Sequence, residues 1–337
     1  MSSKKRLLIL FIVAALLAVP SNIIIATTGN KVAGIMVAVV LFILFTSFMS
    51  YRNRFYVYAN KANEAFSKKE HDKAFELYQQ ALDVKHCPDS IRIAFAYRLL
   101  YTHNIKQATD LIDSIDETKL NKESRYYYNL TQAGLFFQDN ELDKCITICQ
   151  DLYEKSPTEV VAEVLGRALN VSEQYDKALE FSSGAIILYA NNAIIKDNLA
   201  TSYFYSYEDV KARKIYKELI DARVNFPEPY YYYARIAYED NRFKTAIKHL
   251  QLALQKDESF MSNLTYAAIQ KLLDEITQQA APNDYTDDTP IEEISDAPIE
   301  EISDAPIEEI ADAPVAEIAD APVADTNETP VIDSIDK

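Results

Sequence analysis

The chain opens with two runs that carry no charge, residues 7–26 and 32–50. About 20 apolar residues cross the hydrocarbon core of a bilayer, so each run is long enough to span one. Only Thr27, Thr28, Gly29, Asn30 and Lys31 separate them, which predicts a tight helical hairpin. Lys4, Lys5 and Arg6 precede the first run, and Arg52 and Arg54 follow the second. Basic flanks at both outer ends place both termini in the cytoplasm and the short turn outside. A cleaved signal peptide is the competing reading. It fits less well, because Ile24 and Ile25 stand where a cleavage site at Ala26 wants small residues.

From residue 55 the pattern changes to amphipathic segments of helical period. Ala74, Ala108, Cys145, Ala178, Ala212 and Ala246 each precede a larger or apolar residue by four positions, at separations of 34, 37, 33, 34 and 34. Twelve residues upstream of each lies another small residue: Ala62, Ala96, Ala133, Gly166, Ala200 and Ala234. Phe66, Leu99, Phe136, Leu169, Tyr203 and Tyr238 follow these within three or four positions. Small residues let two helices approach closely, and a helix pair leaves an apolar face that only another pair can cover.

Together, period and residue type resemble the tetratricopeptide repeat (TPR), a 34-residue helix–turn–helix unit. The resemblance covers six repeats in residues 55–258. It implies an all-α protein: a two-helix transmembrane hairpin, then a right-handed α-solenoid, then a disordered tail. The expected divisions are a membrane anchor over 1–54, a solenoid over 55–280 and a tail over 281–337. Leu165–Gly166 keeps the family's Leu–Gly pair, and the chain has no Trp. Three extra residues in the second unit fall to the connection over 117–123. Residues 261–278 are amphipathic without a seventh partner, which suits a capping helix.

The formal net charge of −17 sharpens this division. Residues 281–337 hold 18 of the 51 acids and one of the 34 bases, so the remaining 280 residues are electrically balanced. No basic surface of the kind that binds nucleic acid is expected. Cys145 and Cys149 occupy repeat packing positions and read as core rather than as metal ligands. His71, His86 and His103 fall in turns or at helix ends and read as surface imidazoles; His249 stands apart from any ligand set. No G-x-S-x-G, H-E-x-x-H or G-x-x-x-x-G-K-[ST] occurs, so neither an enzymatic activity nor a cofactor is expected.

In the TPR family the first helix of each pair lines a concave groove. The resemblance carries this role to Tyr56, Asn63 and Phe66, then Ile93, Tyr97 and Tyr101, and Tyr127, Leu130 and Phe137. Glu163 and Arg167 follow, then Asp197, Thr201 and Tyr205, and Tyr231, Arg235 and Tyr238. Tyrosine offers broad apolar area and a hydroxyl at low entropic cost, and Tyr and Arg dominate binding hot spots. Protein or peptide partners are expected, with some of the tyrosines packing between repeats instead. A carboxylate clamp is disfavoured, since only Asn63 fits among Ala59, Asn63, Ala94, Tyr127 and Thr131.

In the tail, Pro290, Pro298, Pro306, Pro314, Pro322 and Pro330 recur every eight residues, in copies such as PIEEISDA. Proline at this spacing stops a continuous helix, and near-pure negative charge predicts an extended, self-repelling segment. It reads as a solvated spacer or as tandem weak ligands for a basic partner. Two functions follow. One is a multi-pass, cytoplasm-facing membrane scaffold recruiting proteins through its groove. The other is an accessory or regulatory subunit contacted through the hairpin. A variant of the first has the acidic tail folding back onto Arg167 and Arg235 as a salt-sensitive lid.

Overall fold

The computed structural model describes residues 19, 22, 23, 25–27, 31–258 and 261–279. The tail and most of the first apolar run lie outside the described residues, so the expected hairpin is represented by its second helix. Among the described residues there are fourteen α-helices, one short 3-10 turn and no strand. They fall into two compact units divided between Phe95 and Ala96.

In the first unit, α1 (Lys31–Arg52) is 22 residues long. At 1.5 Å per residue it extends about 33 Å, enough to cross a bilayer core. Val32, Ile35, Met36, Val39, Val40, Phe42, Ile43 and Leu44 are all exposed, and only Gly34 is buried. Thr46 donates its hydroxyl back to the carbonyls of Phe42 and Ile43, which satisfies that donor within the helix. After Asn53 the chain continues as α2 (Arg54–Ser67), which packs on α3 (His71–Leu82). Ala62 and Ala74, the expected small pair, are fully buried where these two helices meet. Tyr78 is also fully buried and stacks on Phe95 with centroids 4.9 Å apart.

Helix α4 (Asp89–Tyr101) straddles the division. The second unit continues with α5 (Ile105–Asp113), the 3-10 turn Glu117–Lys119, α6 (Lys122–Gln138) and α7 (Leu142–Lys155). Next come α8 (Glu159–Val171), α9 (Tyr175–Leu188), α10 (Ala193–Tyr205), α11 (Asp209–Asp221), α12 (Glu228–Glu239) and α13 (Phe243–Ala253). Helix α14 (Tyr266–Gln279) ends the described chain. The 3-10 turn, capped by Asp116, occupies the connection to which the three extra residues were assigned. Asn121 and Asn192 each cap a following helix by accepting from a backbone N–H three residues on.

From α6 to α10 each first helix packs on its own partner and also on the first helix of the next pair, as α8 does with α9 and α10. Ala133, Cys145, Ala178, Ala200, Ala212, Ala234 and Ala246 all show zero exposure. The last pair is closed by α14, which buries Ile269, Leu273 and Ile276 against Ala234, Ala237, Ala246 and Leu250. It falls on the stretch 261–278 expected to be amphipathic, starting at Tyr266 rather than at residue 261. The preceding segment is instead tied down through its own side chains: Ser262 Oγ accepts from the Leu264 N–H, and Glu258 accepts from the Tyr266 N–H.

The turn inside each pair repeats more strictly than its residues do. Lys69, His103, Asn140, Glu173, Tyr207 and Asn241 all have φ near +60°, at the 34, 37, 33, 34, 34 spacing of the small residues. The following residue's N–H returns to a carbonyl in the last helical turn, as from Gln174 to Leu169 and from Glu208 to Tyr203. Only asparagine among these side chains tolerates the left-handed region easily. Glu173→Gly and Tyr207→Gly should therefore each stabilise the chain by about 0.5–1 kcal/mol. In thermal unfolding followed by circular dichroism, the double variant should melt about 3–5 °C higher, with Asn140→Gly near neutral as the control.

Candidate functional site

Which expected groove residues reach solvent is decided by the register of the first helices. Positions 63, 97, 134, 167, 201 and 235 are equivalent across the repeats, as are 163, 197 and 231. In the first unit, Tyr56 is half-buried, and Asn63 accepts a hydrogen bond from the buried Tyr78 hydroxyl. Phe66 is buried against Ala65 and Ala74.

In the second unit Tyr101 is 42% exposed, and Tyr97 and Tyr127 are half-buried. Five residues of this unit expected in the groove, Leu130, Phe137, Arg167, Asp197 and Thr201, are instead buried, Phe137 and Arg167 at 6% exposure. Phe137 and Leu130 are core residues of this unit, and Ile93 is a core residue of the first unit. Arg167 is drawn inward by two acids on the first helices of the next two repeats. Its guanidinium donates to Asp197 Oδ2 at 2.8 Å and to Glu228 Oε1 at 3.4 Å. Asp197 Oδ1 and Glu228 Oε2 are buried without a hydrogen-bond partner. Burial raises the Asp197 carboxyl, with the like charge of Glu228 adding to it and Arg167 opposing. Thr201 is buried as well and pairs with the Tyr216 hydroxyl at 3.1 Å. Glu163 is half-buried and accepts from Asn192 at 2.6 Å, and its burial lifts the carboxyl to about 7.

The expected residues that the structure does bring together are Tyr205, Tyr231 and Arg235, on α10 and α12. Tyr175 from α9 stacks on Tyr205 at 4.4 Å with an interplanar angle of 11°. Tyr205 meets Phe204 and Tyr232 edge-on, at 5.2 and 6.0 Å. Arg235 lies over this bed, 4.6 Å from the Phe204 centroid and 5.9 Å from those of Tyr231 and Tyr232. At these distances cation–π attraction favours the guanidinium beside the rings. Among the described residues Arg235 makes no ion pair. Burial raises the Tyr231 phenol, so it is a neutral donor at physiological pH. Tyr238, one turn further along α12, donates to Gln279 at the end of α14.

Tyr175 was not singled out by the sequence. It sits at the start of a second helix, where the family's groove pattern places no ligand contact, so only the stack on Tyr205 reveals it. His71 also differs from expectation: it is half-buried between Phe66 and Phe75 rather than on an open surface. Cys145 and Cys149 are fully buried in α7, and the Cys149 thiol is raised by its hydrogen bond with Cys145 and by burial.

In fold, the chain is similar to a tetratricopeptide repeat protein from Parabacteroides merdae, with a TM-score of 0.53 at 12% identity. That match covers 79% of this chain and 99% of the other. The TPR2AB domain of yeast Sti1, from a pHSP90 complex, matches 67% of this chain and 98% of its own at 13% identity, with a TM-score of 0.28. Yeast Tom70 matches 69% of this chain and 67% of its own at 12% identity, with a TM-score of 0.24. No family model and no curated protein matches the sequence.

Proposed function

From the tetratricopeptide-repeat fold of this chain we propose a non-catalytic scaffold, anchored in the cell membrane by its N-terminal apolar runs, that holds protein or peptide partners in the cytoplasm. What carries the reading is the aromatic bed of Tyr175, Tyr205, Tyr231 and Tyr232 under an Arg235 that has no acidic partner among the described residues. Broad, half-buried aromatic rings beside one guanidinium are the composition of a binding hot spot. Tyr97, Tyr101 and Tyr127 extend accessible aromatic area on other first helices. For the anchor, the support is an α1 that is long, apolar and outward-facing along its length, followed by Arg52 and Arg54, which favour a cytoplasmic exit.

Affinity capture from detergent extracts tests the groove, with the full chain as bait. Tyr205→Ala with Tyr231→Ala should reduce recovery of specific partners by at least about tenfold, because losing two hot-spot aromatics removes several kcal/mol of binding. Partners recovered equally by both baits would refute the aromatic surface as the recruiting site.

A further inference from the structure

We propose that the Arg235 surface is built to receive the chain's own acidic octapeptides, the Ile–Glu–Glu–Ile copies of the tail, in cis. The proposal rests on the scaffold reading, for it names one occupant of the same surface.

Register is the first argument. Arg167 and Arg235 stand at equivalent positions two repeats apart, and Arg167 takes its two acids, Asp197 and Glu228, from the first helices of the next two repeats. Arg235 belongs to the last helix pair among the described residues, and no described first helix of a further pair supplies the equivalent acids. Its neighbour on that side is α14, whose Glu275 is close enough to act on the Tyr231 phenol but makes its pair with Lys271. Among the described residues the array thus ends on an arginine with an aromatic seat and no carboxylate paired to it.

The second argument is where the described chain ends. Gln279 accepts a hydrogen bond from Tyr238, three residues from Arg235 on the same helix. Gln279, the point from which the tail sequence continues, is therefore beside this surface. Glu292 and Glu293 of the first full copy follow 13 and 14 residues later, a distance that an extended chain covers with about 45 Å of reach. Helix α12 is only about 18 Å long at 12 residues, so the whole bed is within range. A short tether holds its ligand at roughly millimolar effective concentration.

Third, the chemistries match. Each early copy presents two glutamates between two isoleucines, and the surface presents one guanidinium flanked by phenol edges and ring faces. A glutamate pairing with Arg235 would supply what Asp197 and Glu228 supply to Arg167, and the isoleucines would cover the rings of Tyr205 and Tyr231. Arg167, the other arginine once expected to receive the tail, is buried and already paired, which leaves Arg235 as the receiver.

A labelled peptide of residues 290–305 (PIEEISDAPIEEISDA) tests this by fluorescence anisotropy on the detergent-solubilised chain. A variant ending at residue 280 should bind the peptide, weakening with added salt. The intact chain should bind it about tenfold less well, because its own copies compete at millimolar effective concentration. Arg235→Gln in the shortened chain should abolish binding. A peptide with every Glu and Asp replaced by its amide should not bind even the native surface, a result that does not depend on how the variant folds. The proposal is overturned if the shortened chain does not bind, if the intact chain binds equally, or if the amide peptide binds as well as the acidic one. Partner capture by the shortened chain, measured in parallel, reports on the scaffold reading by itself.

Discussion

Replacing Arg167 by leucine should destabilise the second unit by about 3–5 kcal/mol at pH 8, because it strands two buried carboxylates. The guanidinium is 7% exposed at its side chain, and Asp197 and Glu228 are 0% and 1% exposed. Both carboxylates lie out of contact with bulk solvent, and one oxygen of each already lacks a partner. The loss should be smaller at pH 5. Burial raises the folded-state pKa of Asp197 above its ordinary 3.8, and that of Glu163 from 4.5 to about 7. Groups raised on folding contribute stability that is fully present below their unfolded pKa and is lost as the pH climbs through the folded value. For these two the window runs from about pH 4 to about pH 7. In mild acid a protonated carboxyl replaces a stranded anion, so the leucine variant recovers part of its stability. Adding Asp197→Asn and Glu228→Gln to Arg167→Leu should restore most of the remainder, since an uncharged trio has no ion to strand. Urea unfolding at both pH values reads all of this. An Arg167→Leu chain as stable as the native one at pH 8 would mean that the network is hydrated and energetically idle.

The repeat architecture was legible because it rests on local rules: alanine, glycine or cysteine at a close helix crossing, and an apolar face renewed every 34 residues. The turns were legible only as gaps. Six residues of five kinds, Lys69, His103, Asn140, Glu173, Tyr207 and Asn241, share one left-handed conformation. Backbone hydrogen bonding imposes it from the helix ends, so composition carries no signal for it. The groove was half legible. Family register placed Tyr205, Tyr231 and Arg235 on accessible first-helix positions, yet it placed Arg167 there too. What separates the two arginines is acids 30 and 61 residues downstream of Arg167, and helical spacing within one repeat cannot report pairing at that range. Tyr175 was missed for the reverse reason: it reaches the surface from a second helix by stacking, which no periodicity in first helices encodes.

Gly166→Val should cost about 3 kcal/mol, the sum of overpacking and a broken buried hydrogen bond, whereas Gly184→Ala should stabilise by about 1 kcal/mol. Both glycines lie inside helices, α8 and α9, where glycine is a poor former, so intrinsic propensity favours replacing either one. Their surroundings separate them. A Cβ on Gly184 would meet nothing within 4 Å. A Cβ on Gly166 would stand 2.8 Å from Asn198 Nδ2 and 3.3 Å from Asn198 Cβ, on the facing first helix. Asn198 cannot swing aside cheaply. Its amide donates to the Glu163 carbonyl at 2.9 Å, and Asn170 and Ser202 both donate to its backbone carbonyl, at 2.8 and 2.9 Å. Valine's second methyl removes the remaining clearance, so α8 and α10 must separate and break the Asn198–Glu163 bond. That separation also loosens Arg167 from Asp197, which spans the same two helices. The cost of Gly166→Val should therefore shrink in the uncharged Arg167→Leu, Asp197→Asn, Glu228→Gln background, giving a coupling of about 0.5–3 kcal/mol in a double-mutant cycle. Additive effects would show that the glycine contact and the ion network hold the two helices together independently.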